Sequence, residues 1–366
     1  MPFRPTVPFA VPADAGARSD AARPLVEVAD LRVRLPTARG LADAVRGVSF
    51  TLGRGETLGL VGESGCGKSL TALALLGLLP DGARISGSVR FDGQELVGLP
   101  DAALCRLRGS RIGVVFQEPM TALNPLARVG AQVAEPLRLH RRLGAATARA
   151  EAVALLDRVG LADAKRRADA YPHQLSGGQR QRVTIAMALA CGPDLLIADE
   201  PTTALDVTIQ RQILDLIHGL VAERGMALLL ISHDLGVIAE NASRMLVMYG
   251  GTVAESGPTD ALFACRAHPY TQGLFAARPR LGAGMAAATD AGAALSARPR
   301  LATIGGTVPE LADLPPGCPF AGRCRLTADA CVTTPPPAVE VGPGHLARCL
   351  RLDAALATAG DGMAAA

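Results

Sequence analysis

The amino-acid sequence predicts an α/β fold, with a parallel sheet covered by helices, an antiparallel β portion near its start and a helical portion in its middle. Three observations predict it. From residue 183 helical and strand-like runs alternate, as in "VTIAMALA", "DLLIADE", "QRQILDLIHGLVAER", "MALLLISHD" and "RMLVMYGG". Such alternation is the pattern of parallel strands joined by crossover helices. A Gly-rich stretch, "GESGCGKS" at 62–69, stands between a short apolar run and a helical one. The chain has 366 residues, 49% of them hydrophobic, enough for one large core and an appendage.

Residues 1–24, with Pro at 2, 5, 8 and 12, read as a disordered tail and lack the basic start and apolar stretch of a secretory signal. "LVEVADLRVRL" and "VRGVSFTLG" read as strands, and "SGSVRFDGQEL" adds another with a turn at Asp92-Gly93. "ETLGLVG" reads as a buried strand, followed by a helix opening near Gly67. The Ala-, Leu- and Arg-rich stretch at about 118–178 has helical spacing and forms a helical subdomain of a 25–277 domain. Residues 278–302, including "RPRLGAGMAAATDAGAALSARPR", read as a flexible linker. A Cys-rich extension at 303–351 and an Ala-rich tail at 352–366 complete the chain.

Composition excludes several functions. A net charge of +3 is too small for a phosphate-backbone binder, so no nucleic-acid partner is expected. Mean hydropathy is +0.25, yet no apolar run reaches the ~18 residues of a membrane span. Eight cysteines in a chain without a secretory signal do not read as a disulfide framework. Cys66, Cys105, Cys191 and Cys265 are scattered, whereas Cys318, Cys324, Cys331 and Cys349 are clustered.

"GESGCGKS" fits G-x-x-x-x-G-K-[ST] in the strand–loop–helix context that the pattern requires. Gly62, Glu63, Ser64, Gly65, Cys66, Gly67, Lys68, Ser69 and Leu70 are therefore the candidate phosphate cradle, its backbone N–H groups and helix N-terminus facing the anion. Lys68 suits the β- and γ-phosphates and Ser69 suits Mg²⁺. A plain Gly-rich turn with a solvent lysine is the alternative. Against it, lysine occurs only at 68 and 165, while arginine supplies the rest of the 37 basic residues. A compact ammonium is kept where a planar fork would not serve. "LLIADE" at 195–200 ends an apolar strand in two carboxylates. Asp199 is placed to hold Mg²⁺, and Glu200 to orient or deprotonate the attacking water.

"LSGGQRQR" at 175–182 is a second candidate phosphate-binding helix start, offering Ser176, Gly177, Gly178 and Gln179. With it, residues 26–277 resemble the ATP-binding-cassette (ABC) ATPases. The resemblance implies a P-loop NTPase fold, with a RecA-like core, an antiparallel β subdomain and a helical subdomain. It also implies ATP and Mg²⁺, with two ATPs sandwiched in a head-to-tail dimer where the LSGGQ donors serve the opposite subunit. Gln117 in "VVFQEP" resembles the Q-loop glutamine, touching Mg²⁺ and γ-phosphate; Asp206 in "TALD" resembles the D-loop; His233 in "LLLISHD" resembles the switch histidine. One departure is visible. Residues 28–49 lack the aromatic that usually stacks on adenine, so contact falls to Leu35, Val45 or the partner.

"FQEPMTALNP", "DEPTTALDVTIQRQIL", "VMYGGTVAESGP", "HPYTQGL" and "IGGTVPELADLPPGCPFAGRC" narrow the resemblance to ATPase subunits of dipeptide, oligopeptide and nickel importers. It implies peptide uptake, with nickel, another small solute or a soluble non-transport ATPase as alternatives. Implied partners are two transmembrane permease subunits, a second, paralogous ATPase and, indirectly, an extracytoplasmic solute-binding protein. The implied place is peripheral, on the cytoplasmic face of the inner membrane, with permease coupling helices seated near Gln117. The four clustered cysteines have spacing C-x5-C-x6-C-x17-C. Zinc sites usually bring close C-x2–4-C pairs, so spacing and resemblance together favour a [4Fe–4S] cluster, with Zn²⁺ as alternative. His345 reads as a surface residue or a substitute ligand. Residues 303–350 are poor in apolar side chains, so a metal centre would supply folding energy that their own core cannot.

Overall fold

The structure, a computed structural model, describes residues 23–203, 205–277 and 303–361. The expected tail therefore lies outside it except for Arg23 and Pro24, and the expected linker at 278–302 lies wholly outside.

Strands β1 (Val26–Thr37) and β2 (Gly40–Leu52) form a long antiparallel hairpin, paired from Val26↔Leu52 to Thr37↔Gly40. β3 (Thr57–Val61) then runs into the core, and helix α1 (Lys68–Leu76) follows it across the Gly-rich loop. β4 (Arg84–Phe91) and β5 (Gln94–Glu95) join the hairpin in a four-stranded sheet of order β2-β1-β4-β5. Their turn is at Asp92 and Gly93, both with positive φ, as a tight hairpin turn requires. After α2 (Asp101–Leu107) and β6 (Ile112–Val115) comes the expected helical block: α3 (Pro119–Ala122), α4 (Val129–His140), α5 (Ala145–Arg158), α6 (Ala164–Arg167) and α7 (Gly177–Leu189).

The chain then alternates as expected through β7 (Leu195–Asp199), α8 (Val207–Arg224), β8 (Ala227–Ser232), α9 (Leu235–Asn241), β9 (Arg244–Tyr249) and β10 (Thr252–Pro258), followed by α10 (Thr259–Ala264) and α11 (Pro269–Ala276). Beyond the second gap lie α12 (Asp329–Thr333), β11 (Val339–Gly342), β12 (His345–Ala347) and α13 (Leu352–Asp361). The main sheet has eight strands among the described residues, in the order β11-β12-β10-β9-β3-β8-β7-β6. From β9 to β6 all pairs are parallel; from β9 outward through β10 and β12 to β11 they are antiparallel. Every residue of β7 and β8 is buried, which is why these strands read as unbroken apolar runs. The two-residue period sorts β8 between two cores. Leu228 and Leu230 face one, and Ala227, Leu229 and Ile231 face the other.

The Cys-rich extension packs on the main domain: β12 pairs with β10, Glu255 opposite Ala347, and Phe320 joins the main core. Two expectations are corrected. His345 is buried, not superficial, with Nε2 2.7 Å from Glu255 Oε1. The Ala-rich tail forms α13 as far as Asp361, because its apolar face has a partner: Ala355 is buried and its carbonyl accepts from Gln272 Nε2 at 2.8 Å. Among the described residues, no helix is long and apolar enough to cross a membrane.

Candidate nucleotide site

The Gly-rich loop turns because its glycines allow it. Gly65 and Gly67 have φ of +79° and +100°, and a Cβ on Gly67 would meet the Ala44 carbonyl at 2.9 Å. Gly67 caps α1, and Lys68, 5% exposed, donates to the carbonyls of Gly62 at 2.8 Å and Glu63 at 3.1 Å. Cys66 is buried against the loop, and burial pushes its thiol pKa up. Leu70 is half-buried and packs on the core behind the helix start.

At the end of β7, burial pushes the Asp199 carboxyl above its ordinary range, with a Ser69 hydroxyl bond pulling the other way. Its Oδ1 is buried without a hydrogen-bond partner. A carboxylate oxygen left unpaired there, beside a Ser hydroxyl and near an ammonium, is poised to accept a cation.

The next residue, Glu200, has φ of +47°, a left-handed conformation that a non-glycine side chain rarely adopts. The surrounding structure holds it there. Its N–H donates to Ile231 O at 3.0 Å, and three side chains meet its Oε2. Gln117 Nε2 stands at 3.0 Å, Thr203 Oγ1 at 2.9 Å and His233 Nδ1 at 3.1 Å. Gln117, Asp199, Glu200 and His233 come from the ends of three neighbouring strands, β6, β7 and β8, so parallel pairing delivers them to one edge of the sheet. Thr203 was not singled out from the sequence, although it lies inside the "DEPTTALD" run.

The second candidate phosphate-binding start lies elsewhere on the chain. Ser176 caps α7 in a capping box with Gln179, whose side-chain oxygen accepts from Ser176 N at 3.0 Å. Ser176 and Gly177 are exposed. A Cβ on Gly177 would meet Leu205, and one on Gly178 would meet Ile209, so this helix start sits beside Asp206, which caps α8 by accepting from Ile209 N at 3.0 Å. Val45, one of the two expected adenine contacts, is fully buried in the core, while Leu35 is half-buried near the hairpin end.

Away from these groups, Cys318, Cys324, Cys331 and Cys349 line one small cavity together with His268 and Phe320. All four are free thiols. Backbone N–H groups of Leu326 and Arg351 point at the sulfurs of Cys324 and Cys349, at 3.4 and 3.3 Å. Burial first, and then the three neighbouring cysteines, push the Cys318 thiol up to about 11. Among the described residues, no group of three or more His, Cys, Asp or Glu is arranged to hold a metal ion.

The family profile described as ABC transporter matches residues 45–203, and the one described as Oligopeptide/dipeptide transporter, C-terminal region, matches 254–331. A putative peptide import ATP-binding protein of Brucella melitensis is 49% identical over 336 residues, spanning 90% of this chain and 97% of its own. The chain belongs to the ABC transporter family. The oligopeptide transport ATP-binding protein OppD of Mycobacterium tuberculosis is 50% identical over 90% of this chain, which spans only 52% of that longer relative. Among solved structures, the ATP-binding cassette MJ0796 in a dimeric, post-hydrolysis state bound to ADP and Pi superposes with a TM-score of 0.58 at 30% identity, covering 64% of this chain and 98% of that one. The cbiO1 chain of Clostridium perfringens gives 0.56 at 28% identity, covering 66% and 91%. This ABC chain therefore carries, beyond the cassette, the C-terminal region that its second profile match describes.

Proposed function

We propose that this chain is the ATP-hydrolysing subunit of a peptide importer, working at the cytoplasmic membrane face as half of a head-to-tail ATPase pair. One observation carries the hydrolytic part. A strained, buried Glu200 is held by Gln117, Thr203 and His233 beside a loop built for phosphates. Backbone strain of this kind persists where the surroundings over-determine it, and it clusters at functional sites. The transport part is supported by the match of residues 254–331 and by the names of the relatives.

In this reading, the loop N–H groups and Lys68 receive the β- and γ-phosphates. Glu200 takes a proton from the attacking water, and His233 and Gln117 hold the carboxylate toward it. Asp199 and Ser69, with Gln117, would hold Mg²⁺, which when bound supplies charge neutralisation at the phosphates; the unpartnered Asp199 Oδ1 fits that role. The exposed Ser176 and Gly177, followed by the half-buried Gly178 and Gln179, would face a second ATPase, with Asp206 beside them. ATP drives transport to the extent that it binds the closed pair more tightly than the open one. Phe116, next to Gln117, and Leu126, nine residues beyond it, are exposed (41% and 87%) and would seat a permease segment. Two permease subunits, a paralogous ATPase and a solute-binding protein complete the assembly.

The four cysteines would hold a [4Fe–4S] cluster, which when bound supplies folding energy to the extension. The four thiols line one cavity, which supports a shared occupant, and the backbone N–H groups aimed at two of the sulfurs would stabilise metal-bound thiolates there. For the hydrolytic reading, Glu200→Gln should bind ATP normally and lose at least about a hundredfold in turnover. Hydrolysis at the wild-type rate in that variant would remove Glu200 from the role.

A further inference from the structure

The phosphate loop carries a negative charge of its own. Glu63 is its second residue, and an unpaired carboxylate there would oppose the phosphates that the loop must bind. The structure gives that charge one partner, supplied from 260 residues later in the chain. Arg323, immediately before Cys324, places Nη1 2.7 Å from Glu63 Oε2 and Nη2 3.2 Å from Oε1. The pair is sheltered, with side-chain exposures of 5% for Arg323 and 27% for Glu63. The remaining guanidinium bonds run to Gly305 O at 2.8 Å, Ile304 O at 3.3 Å and Tyr249 Oη at 3.4 Å. A planar fork gripped on every side has one orientation, so it fixes the carboxylate as well as neutralising it. The same loop residue is held a second time, its N–H donating to Tyr270 Oη at 2.8 Å.

We propose that Arg323 is a positioning residue for nucleotide binding: it neutralises Glu63 and holds that carboxylate away from the phosphates, making the Cys-rich extension a working part of the ATP site. The proposal rests on residues 62–69 being the phosphate site. Arg323 touches no nucleotide; it acts through the loop. Two unit charges roughly 10 Å apart, at the effective dielectric of a protein surface and screened by salt over a similar distance, change affinity by about threefold.

The test measures binding of the magnesium complex of adenylyl-imidodiphosphate to the full chain, with iron content and unfolding midpoint recorded for each variant. Lys68→Ala tests the underlying reading: if it binds as the wild type does, the phosphate site is misassigned. With that control in place, Arg323→Gln should weaken binding by about threefold, because it strands the Glu63 charge. Glu63→Asp should do the same from the loop side, keeping the charge while withdrawing it from the fork and leaving the extension untouched. The double variant Arg323→Gln/Glu63→Gln should recover the wild-type affinity, since no charge remains to be neutralised. Stranding a sheltered charge also destabilises the fold, so the unfolding midpoints are the control: the affinity loss belongs to positioning where it persists at a temperature at which every variant is fully folded. Wild-type affinity in both Arg323→Gln and Glu63→Asp, or a double variant as weak as Arg323→Gln, would overturn the proposal. If Arg323→Gln does not fold, the contrast between Glu63→Asp and Glu63→Gln still decides.

Discussion

At the scale of single residues, buried polar groups here are bound in networks whose members come from distant parts of the chain. Glu255, 1% exposed, accepts from the N–H groups of Ala267 and His268 at 2.8 and 2.9 Å and meets His345 at 2.7 Å. His268 caps α11 by accepting from Tyr270 N, and burial lowers its pKa from 6.5 to about 4, with Glu255 and the Arg348 backbone acting in the opposite sense. A histidine kept neutral by folding binds fewer protons folded than unfolded between those two values. Stability should therefore be fully present above pH 6.5 and fall as pH drops toward about 4. The shift corresponds to an effect on the order of 3 kcal/mol at most. In His268→Asn, whose amide oxygen can still cap the helix, denaturant unfolding at a series of pH values should show that slope reduced by up to one proton. An unchanged slope would remove His268 as its source. The sequence made Lys68, Ser69, Asp199, Glu200, Gln117 and His233 legible, because each sits in a local pattern of strand end or Gly-rich turn. Arg323 was not legible: one arginine among many has no local mark, and its partner lies at the other end of the domain.

Elements were readable where they were long or strongly patterned, and missed where they were short. The parallel strands β3, β7, β8 and β9 are continuous apolar runs, and α8 spans eighteen residues between an Asp cap and Gly225, with φ of +61°. β11 and β12 have four and three residues, too few to display a two-residue period, so pairing of β12 with β10, and of β11 with β12, is what makes them strands. α13 went unread for a related reason, since an Ala-rich segment becomes a helix once it has a surface to lie on. Packing between elements also carries the site's geometry. β6 leads to Gln117, and α7, which begins at the LSGGQ stretch, crosses it so closely that a Cβ on Gly113 would meet the Ala188 carbonyl at 2.4 Å and the Pro193 ring at 3.0 Å. Neither obstacle is a flexible side-chain tip. Gly113→Ala should consequently cost about 1–3 kcal/mol, seen as a lower midpoint in urea with an unchanged denaturant slope. A midpoint equal to that of the wild type would show that the two elements can separate without penalty.

For the whole molecule, the extension is a second wall of the cassette rather than a hanging tail. Tyr249 and Tyr270 of the cassette and Phe320 of the extension form one aromatic cluster, with centroids 4.7 to 5.3 Å apart, and β12 continues the main sheet. Protein purified without oxygen should contain iron and acid-labile sulfide in equal amounts. Removing them should lower the midpoint of a single unfolding transition instead of melting the extension alone, because the two parts share a core. Stoichiometric zinc without iron or sulfide would replace the cluster reading, and two separate transitions would refute the shared core. The order of residues alone determined the α/β class, the Gly-rich loop between strand and helix, the carboxylate pair and the cysteine set, since each is written in neighbouring positions whose spacing has a direct geometric meaning. Only the tertiary structure decided that the cysteine extension belongs to the main sheet, that His345 is buried, and that Arg323 pairs with Glu63 of the Gly-rich loop. Those facts depend on contacts between residues far apart in sequence, where burial and charge pairing, not local pattern, choose the partner.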